Sequence, residues 1–134
     1  MVYFKSDNII SSLGISTEEN FTSMVADKIG ITTINNLRYY PEVFPASMIN
    51  EGRLDREFSI IAIKYKNNKN YTKLEKMIIV SVVDALSKTD IDITSNRTAI
   101  ILSTTKGNID LLSNDNKDFF NLIAQLSFSN PVQT

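Results

Sequence analysis

Residues 97–108 read RTAIILSTTKGN, and the fold turns on them. Thr98–Leu102 is a short unbroken apolar run with Arg97 before it and Ser103-Thr104-Thr105 after it. An apolar run of this length without polar alternation fits a strand covered on both faces, as in a parallel sheet. Beyond its carboxyl end the hydroxyls of Thr104 and Thr105, Lys106 and Gly107 gather, and open α/β sheets hold their ligands at such strand ends. These groups suit a phosphate or a carbonyl oxygen. The turn is not a P-loop, which needs an earlier Gly and a Lys-Ser/Thr pair after the second one. Local sequence alone favours a plain strand-to-helix turn.

The flanking segments supply helices. Residues 72–88, TKLEKMIIVSVVDALSK, are long enough for one. Leu74, Met77, Ile78, Val82 and Leu86 make one apolar face, while Ile79, Val80 and Val83 make the other side apolar too. A helix apolar all round needs cover on more than one side. Downstream, Phe119, Leu122, Ile123 and Leu126 share one face of a helix expected over 115–128, ended by Asn130-Pro131.

Upstream, residues 2–11 carry β-formers around the polar triplet Ser6-Asp7-Asn8 and read as a strand. Ser16 and Glu19 have capping-box spacing at the head of a helix expected over 16–29. Phe21, Met24, Val25 and Ile29 form its stripe, expected as core, and Gly30 takes the position after its end. Leu37–Tyr40 reads as a short strand stopped by Pro41. Pro41 and Pro45 bracket a loop carrying Tyr39, Tyr40 and Phe44, expected to fold back onto the body. Leu54, Phe58, Ile61 and Tyr65 have helical spacing, while Ser59–Ile63 is equally good strand material; a helix is expected. The alternation of strands and helices gives α/β with a parallel sheet.

Composition narrows the chemistry. The chain has 134 residues, one domain's worth, and a formal net charge of -1. That balance exerts no general pull on nucleic acid or anionic lipid. Cys, His and Trp are absent. Disulfides, Cys or His metal sites, thiol or Ser–His nucleophiles and imidazole acid–base chemistry are therefore excluded within these residues. No stretch reaches the ~18 apolar residues of a membrane helix, and the N-terminus lacks the blocks of a signal peptide, so a cytoplasmic protein is expected. Asp90 and Asp92 form an acidic pair expected in a solvated loop. The N-x-[ST] sequons at Asn20, Asn70 and Asn96 are attributed to chance in an Asn-, Ser- and Thr-rich chain.

Four segments together resemble the N-terminal half of a β-ketoacyl-acyl carrier protein synthase of the thiolase-like superfamily, closest to divergent Bacteroidetes-type members. DNIISSLGISTEENF (7–21) looks like the opening strand, the turn ending in Leu-Gly and the first helix. MVADKIGI (24–31) is similar to that helix's end, YTKLEKMIIVSVVDALSKTDID (71–92) to a later helix and acidic loop, and RTAIILSTTKGNID (97–110) to a strand and turn. The pattern departs from the family where Ser12 stands in place of a Pro and where Ser103 and Thr105 replace glycines.

The resemblance implies an α/β fold: the N-terminal half of a thiolase-like αβαβα layered fold, with an incomplete mixed or parallel sheet and flanking helices. Residues 1–134 would be an N-terminal synthase-like domain, and the stretch FSNPVQT (128–134) looks like the one before the family's nucleophilic Cys. The family's catalytic Cys, His and Lys residues match nothing here, so no catalytic residue is assigned. Thr104, Thr105 and Lys106 would line the acyl pocket. The whole protein would be an acyltransferase that loads an acyl group on Cys and joins it to a decarboxylated malonyl unit. No cofactor or metal is implied, and neither nucleic acid nor membrane. The implied partners are acyl carrier protein and a second synthase-like chain, in a homodimer or heterodimer. Two alternatives stand: a non-catalytic partner subunit of the chain-length-factor type, and a stand-alone α/β ligand-binding module.

Overall fold

In a computed structural model, residues 1–36, 40–66, 69–105 and 107–108 are described. They form α1 (Thr17–Val25), β1 (Thr32–Ile34), β2 (Phe44–Ala46), α2 (Glu51–Lys64) and α3 (Lys73–Ser87). Helix and strand are mixed, as the alternation implied. The sheet, however, is an antiparallel pair, with Thr32 opposite Ala46, Thr33 opposite Pro45 and Ile34 opposite Phe44. Pro45 lacks an N–H, which a two-stranded sheet tolerates because both of its strands are edges. Neither strand has the sequence pattern of one, and both follow from their pairing. Tyr40 is exposed and meets the half-buried Phe44 ring edge-on at 6.2 Å, while Tyr39 lies outside the described residues.

Each helix begins on a side-chain cap. Thr72 Oγ1 accepts the Glu75 N–H while the Glu75 carboxylate accepts the Thr72 N–H, a complete capping box for α3. Asn50 Oδ1 accepts the Arg53 N–H at the head of α2. At α1, Ser16 Oγ accepts the Glu19 N–H, but the Glu19 carboxylate reaches past Ser16 to the Ile15 N–H at 3.0 Å.

Helix α1 stops at Val25, short of the expected 29. Asp27 takes a left-handed φ of 53°, its N–H donates to the Met24 carbonyl, and the Lys28 N–H donates back to the Ser23 carbonyl. This is a Schellman ending with Asp in the place usually held by Gly. Gly30 serves a different need: a Cβ there would lie 2.3 Å from Ser12 Oγ, so a larger residue requires the Ser12 side chain to move.

Helices α2 and α3 pack together over Leu54, which is 1% exposed, with Val80 and Ile15 also buried. Lys73 pairs with Glu51 at 2.8 Å and Lys76 with Asp55 at 2.7 Å, and the Phe58 and Tyr71 rings meet at 5.2 Å. Such exposed pairs contribute little each, so the apolar contact dominates. Most of α3 is half-buried around its whole circumference, in line with its all-round apolar pattern.

Two expectations are corrected. The stripe of α1 is not core: Phe21 is 67% exposed, and Met24, Val25 and Ile29 face solvent with it. The buried side chains of α1 are Asn20 and Ser23. Thr98–Leu102 is not a buried parallel strand. Residues 99–102 are exposed and outside any sheet. The chain before them is closed on itself, with the Thr98 hydroxyl on the Asp92 carbonyl and the Thr98 N–H on the Ser95 carbonyl. An apolar strand needs neighbours on its edges and cover on both faces, and among the described residues none is in place. The expected strand over 2–11 likewise joins no sheet; Ser11 makes only an isolated bridge to Gly14. The expected strand over 37–40 does not form at Tyr40, and its other residues, Tyr39 included, lie outside the described residues, as does the helix expected over 115–128.

The burial pattern ranks substitutions. Leu54→Ala is expected to destabilise the chain by about 2–5 kcal/mol, while Phe21→Ala on the exposed stripe stays within about 0.5 kcal/mol. Urea titration followed by circular dichroism measures both, and the reverse ranking contradicts this packing.

Candidate functional site

The 103–108 turn was the site expected from sequence. Thr104 and Thr105 are exposed, and Lys106 lies outside the described residues. Thr104 Oγ1 accepts the Gly107 N–H at 3.0 Å, and Gly107 has a φ of 54°, which suits a residue without Cβ. The next residue, Asn108, is buried, and its Oδ1 accepts the Thr72 hydroxyl at 2.7 Å. The turn is thereby fastened to the start of α3. The Thr104 hydroxyl is engaged within the turn. The described part of the turn is structural: it carries the chain from Thr104 to the buried Asn108.

Among the described residues, a cleft of about 410 Å³ lies where the start of α1 meets α2 and α3. Ile15 and Val80 form its floor, with Glu19, Arg53, Glu57 and Asp84 around it. Arg53 and Glu19 are ion-paired across the cleft. The Ile15 N–H holds the Glu19 carboxyl below its ordinary range, partial burial opposes this, and the Arg53 guanidinium adds to the lowering. Asp84 pairs with Lys88 at 2.6 Å one turn along α3, and that bond raises the Lys88 ammonium above its usual value. The Glu19–Arg53 pair thus links α1 to α2, while Asp84 is engaged within the end of α3. Among the described residues no three acidic side chains converge as metal ligands.

Asp90 and Asp92 are exposed, as expected for a solvated loop. Asp92 accepts the hydroxyl and the N–H of Thr94, which lower its carboxyl from its ordinary value, so it caps its own turn. The sequon at Asn20 is buried and fully hydrogen-bonded, so its amide is closed to modification in the folded chain. Among the described residues no helix is long and apolar enough to cross a membrane.

Sequence reading missed the Glu19–Arg53 link and the role of Asn20. The Ser16-x-x-Glu19 signal was visible, but its carboxylate serves Ile15 and Arg53, a partner 34 positions away that no local pattern announces.

The sign of the Glu19 shift gives a pH dependence. Its folded-state value lies below the unfolded one, so its stabilisation is complete above the unfolded value and disappears as pH falls through the folded one. Glu19→Gln is expected to flatten the acid limb of the stability curve and to leave its neutral-to-alkaline slope unchanged. Urea midpoints measured from neutral to acid pH test this; an unchanged acid limb contradicts it.

Compared with known proteins, the chain matches no family model, no curated protein and no solved structure.

Proposed function

We propose that this chain is the N-terminal portion of a β-ketoacyl-acyl carrier protein synthase-type condensing protein, whose remaining fold or partner chain covers the apolar surface exposed here. The observation that carries the reading is that surface. Phe21, Met24, Val25 and Ile29 on one side and Ile100, Ile101 and Leu102 on another stand in water, while only Ile15, Leu54 and Val80 are buried apolar residues among those described. Exposed apolar area forgoes roughly 25 cal/mol per Å², and contiguous patches of it mark contact surfaces. A stand-alone binding module has no use for so much bare surface. The αβαβα layering belongs to the same proposal, as does the pairing with a second synthase-like chain.

In the whole protein, a Cys outside these residues would take the acyl group, a malonyl-carrier protein would lose CO₂, and the resulting carbanion would attack the thioester. Attack of this kind needs an activated thiolate, or a hydroxyl beside a base. This chain has neither thiol nor imidazole. Its proposed share is to support the acyl pocket through the 104–106 turn, in a cytoplasmic enzyme that meets acyl carrier protein.

Malonyl-carrier-protein decarboxylation tests the reading. The chain alone is expected to turn nothing over, and to bind a hydrophobic dye. A longer product of its gene that carries a Cys soon after Thr134 is expected to be active, and to lose that activity on Cys→Ala by several orders of magnitude. Turnover by the 134-residue chain alone, lost on Lys106→Ala, overturns the proposal and makes the 103–108 turn a catalytic site. A compact monomer that binds no dye also overturns it.

A further inference from the structure

We propose that residues 2–10 form an open strand edge that pairs antiparallel with the same segment of a second copy of this chain. The inference does not rest on the synthase reading. It starts from a two-residue period in burial over residues 5–10, preceded by the exposed Val2 and Phe4. Ser6, Asn8 and Ile10 are half-buried, whereas Lys5, Asp7 and Ile9 are exposed. Ser6 Oγ donates to the Ala85 carbonyl at 2.8 Å, and Asn8 Nδ2 donates to the Ile15 carbonyl at 3.1 Å and lies 3.4 Å from Ser81 Oγ, so Ser6 and Asn8 are seated against α3 and Ile15. A strand lying on a helix in this way shows the period of a sheet without having one.

Its backbone is the unfinished part. Among the described residues, no N–H or C=O of Val2–Ile10 bonds to another backbone group. The Ile9 carbonyl accepts the Asn20 amide, which turns the odd-numbered edge toward α1. In a strand, alternate residues present N–H and C=O to opposite edges, so Phe4, Ser6, Asn8 and Ile10 offer theirs on the other side. A row of unpaired donors and acceptors of this kind is a template for another strand.

Charge selects the occupant and the register. With Ser6 opposite Ser6 on a two-fold axis, the hydrogen-bonded pairs fall on the even-numbered edge. Lys5 then faces Asp7 of the other copy, twice, and Tyr3 faces Ile9, twice. Both kinds of pair sit at the non-hydrogen-bonded positions, where side chains approach most closely. Shifting the axis by one residue sets Asp7 against Asp7 or Lys5 against Lys5. The segment is thus self-complementary in one antiparallel register, as an isologous contact requires. Within its own chain Lys5 has only Asp90, at 3.8 Å with both side chains largely exposed, so it is available. A contact of one short strand per copy lies below the ~1,200 Å² of standard interfaces, and the association is weak and concentration-dependent.

Sedimentation equilibrium of the 134-residue chain, from micromolar to near-millimolar concentration, tests this with Lys5→Asp and Asp7→Lys. The wild-type chain is expected to dimerise reversibly. Each variant alone sets like charges opposite each other twice, and is expected to dimerise about tenfold or more weakly. An equimolar mixture of the two variants restores both opposite-charge pairs in a heterodimer and is expected to associate at least as well as wild type. Far-UV circular dichroism confirms that both variants keep the helices. The proposal is overturned if the wild type is monomeric throughout, if either variant associates as wild type does, or if the mixture stays monomeric. Association through the exposed stripe of α1 would give the second of these results, since neither substitution touches that stripe.

Discussion

The side-chain amide of Asn20 organises the first quarter of the molecule. It is 5% exposed and donates to the carbonyls of Ile9, Gly14 and Ser16, while accepting the hydroxyl of Ser11. A buried amide without partners would be destabilising, and one with every group engaged fixes its surroundings. Here it gathers the 9–16 segment around one side of α1, and Ser23 Oγ extends the same seam by donating to the Leu13 carbonyl at 3.1 Å. Once Asn20 and Ser23 point inward, helical geometry sends Phe21, Met24 and Val25 outward. The exposed stripe is therefore a consequence of the polar seam.

From that seam the rest follows by contact. Ile15, held beside Asn20, reaches the floor where α2 and α3 meet, and Glu19 one residue away crosses to Arg53 on α2. Leu54, next to Arg53, is the most buried apolar side chain described. The polar anchoring of α1 and the apolar contact of α2 with α3 are joined at adjacent residues, so loosening one end weakens the other. The same arrangement leaves apolar residues in water and a strand edge unfilled, which is why the functional proposal and the self-pairing inference both concern surfaces that remain to be covered.

What the sequence revealed was local. The helix over 73–87 was visible from spacing and length, because helical periodicity is written in consecutive residues, whereas for the helix over 51–64 the spacing of Leu54, Phe58, Ile61 and Tyr65 competed with an equally good strand reading of Ser59–Ile63. The cap at Ser16 was visible for the same reason. The inward face of α1 was not, since an apolar stripe was the obvious core and the deciding bonds of Asn20 run to carbonyls, which every residue has. The β1–β2 hairpin lacked a pattern because three-residue strands, one of them containing Pro45, are defined by their partner. Thr98–Leu102 had the pattern of a strand without the neighbours that make one. Of the expected site, Thr104 and Thr105 are in an exposed turn, and the charged contacts that link separate helices, such as Glu19–Arg53, join residues too distant in sequence for any motif.

The central claim is that hydrogen bonds from Asn20, rather than the apolar stripe, orient α1. Substituting Asn20→Leu and measuring stability by urea denaturation tests it most directly. The account predicts a loss of several kcal/mol, since the Leu side chain removes the bonds to the carbonyls of Ile9, Gly14 and Ser16 and to the Ser11 hydroxyl, and leaves the Ile9 carbonyl without a partner, an unmet buried group costing roughly 1–3 kcal/mol. Stability equal to or above that of the wild-type chain would mean that α1 is held by apolar contact alone, and would contradict the account.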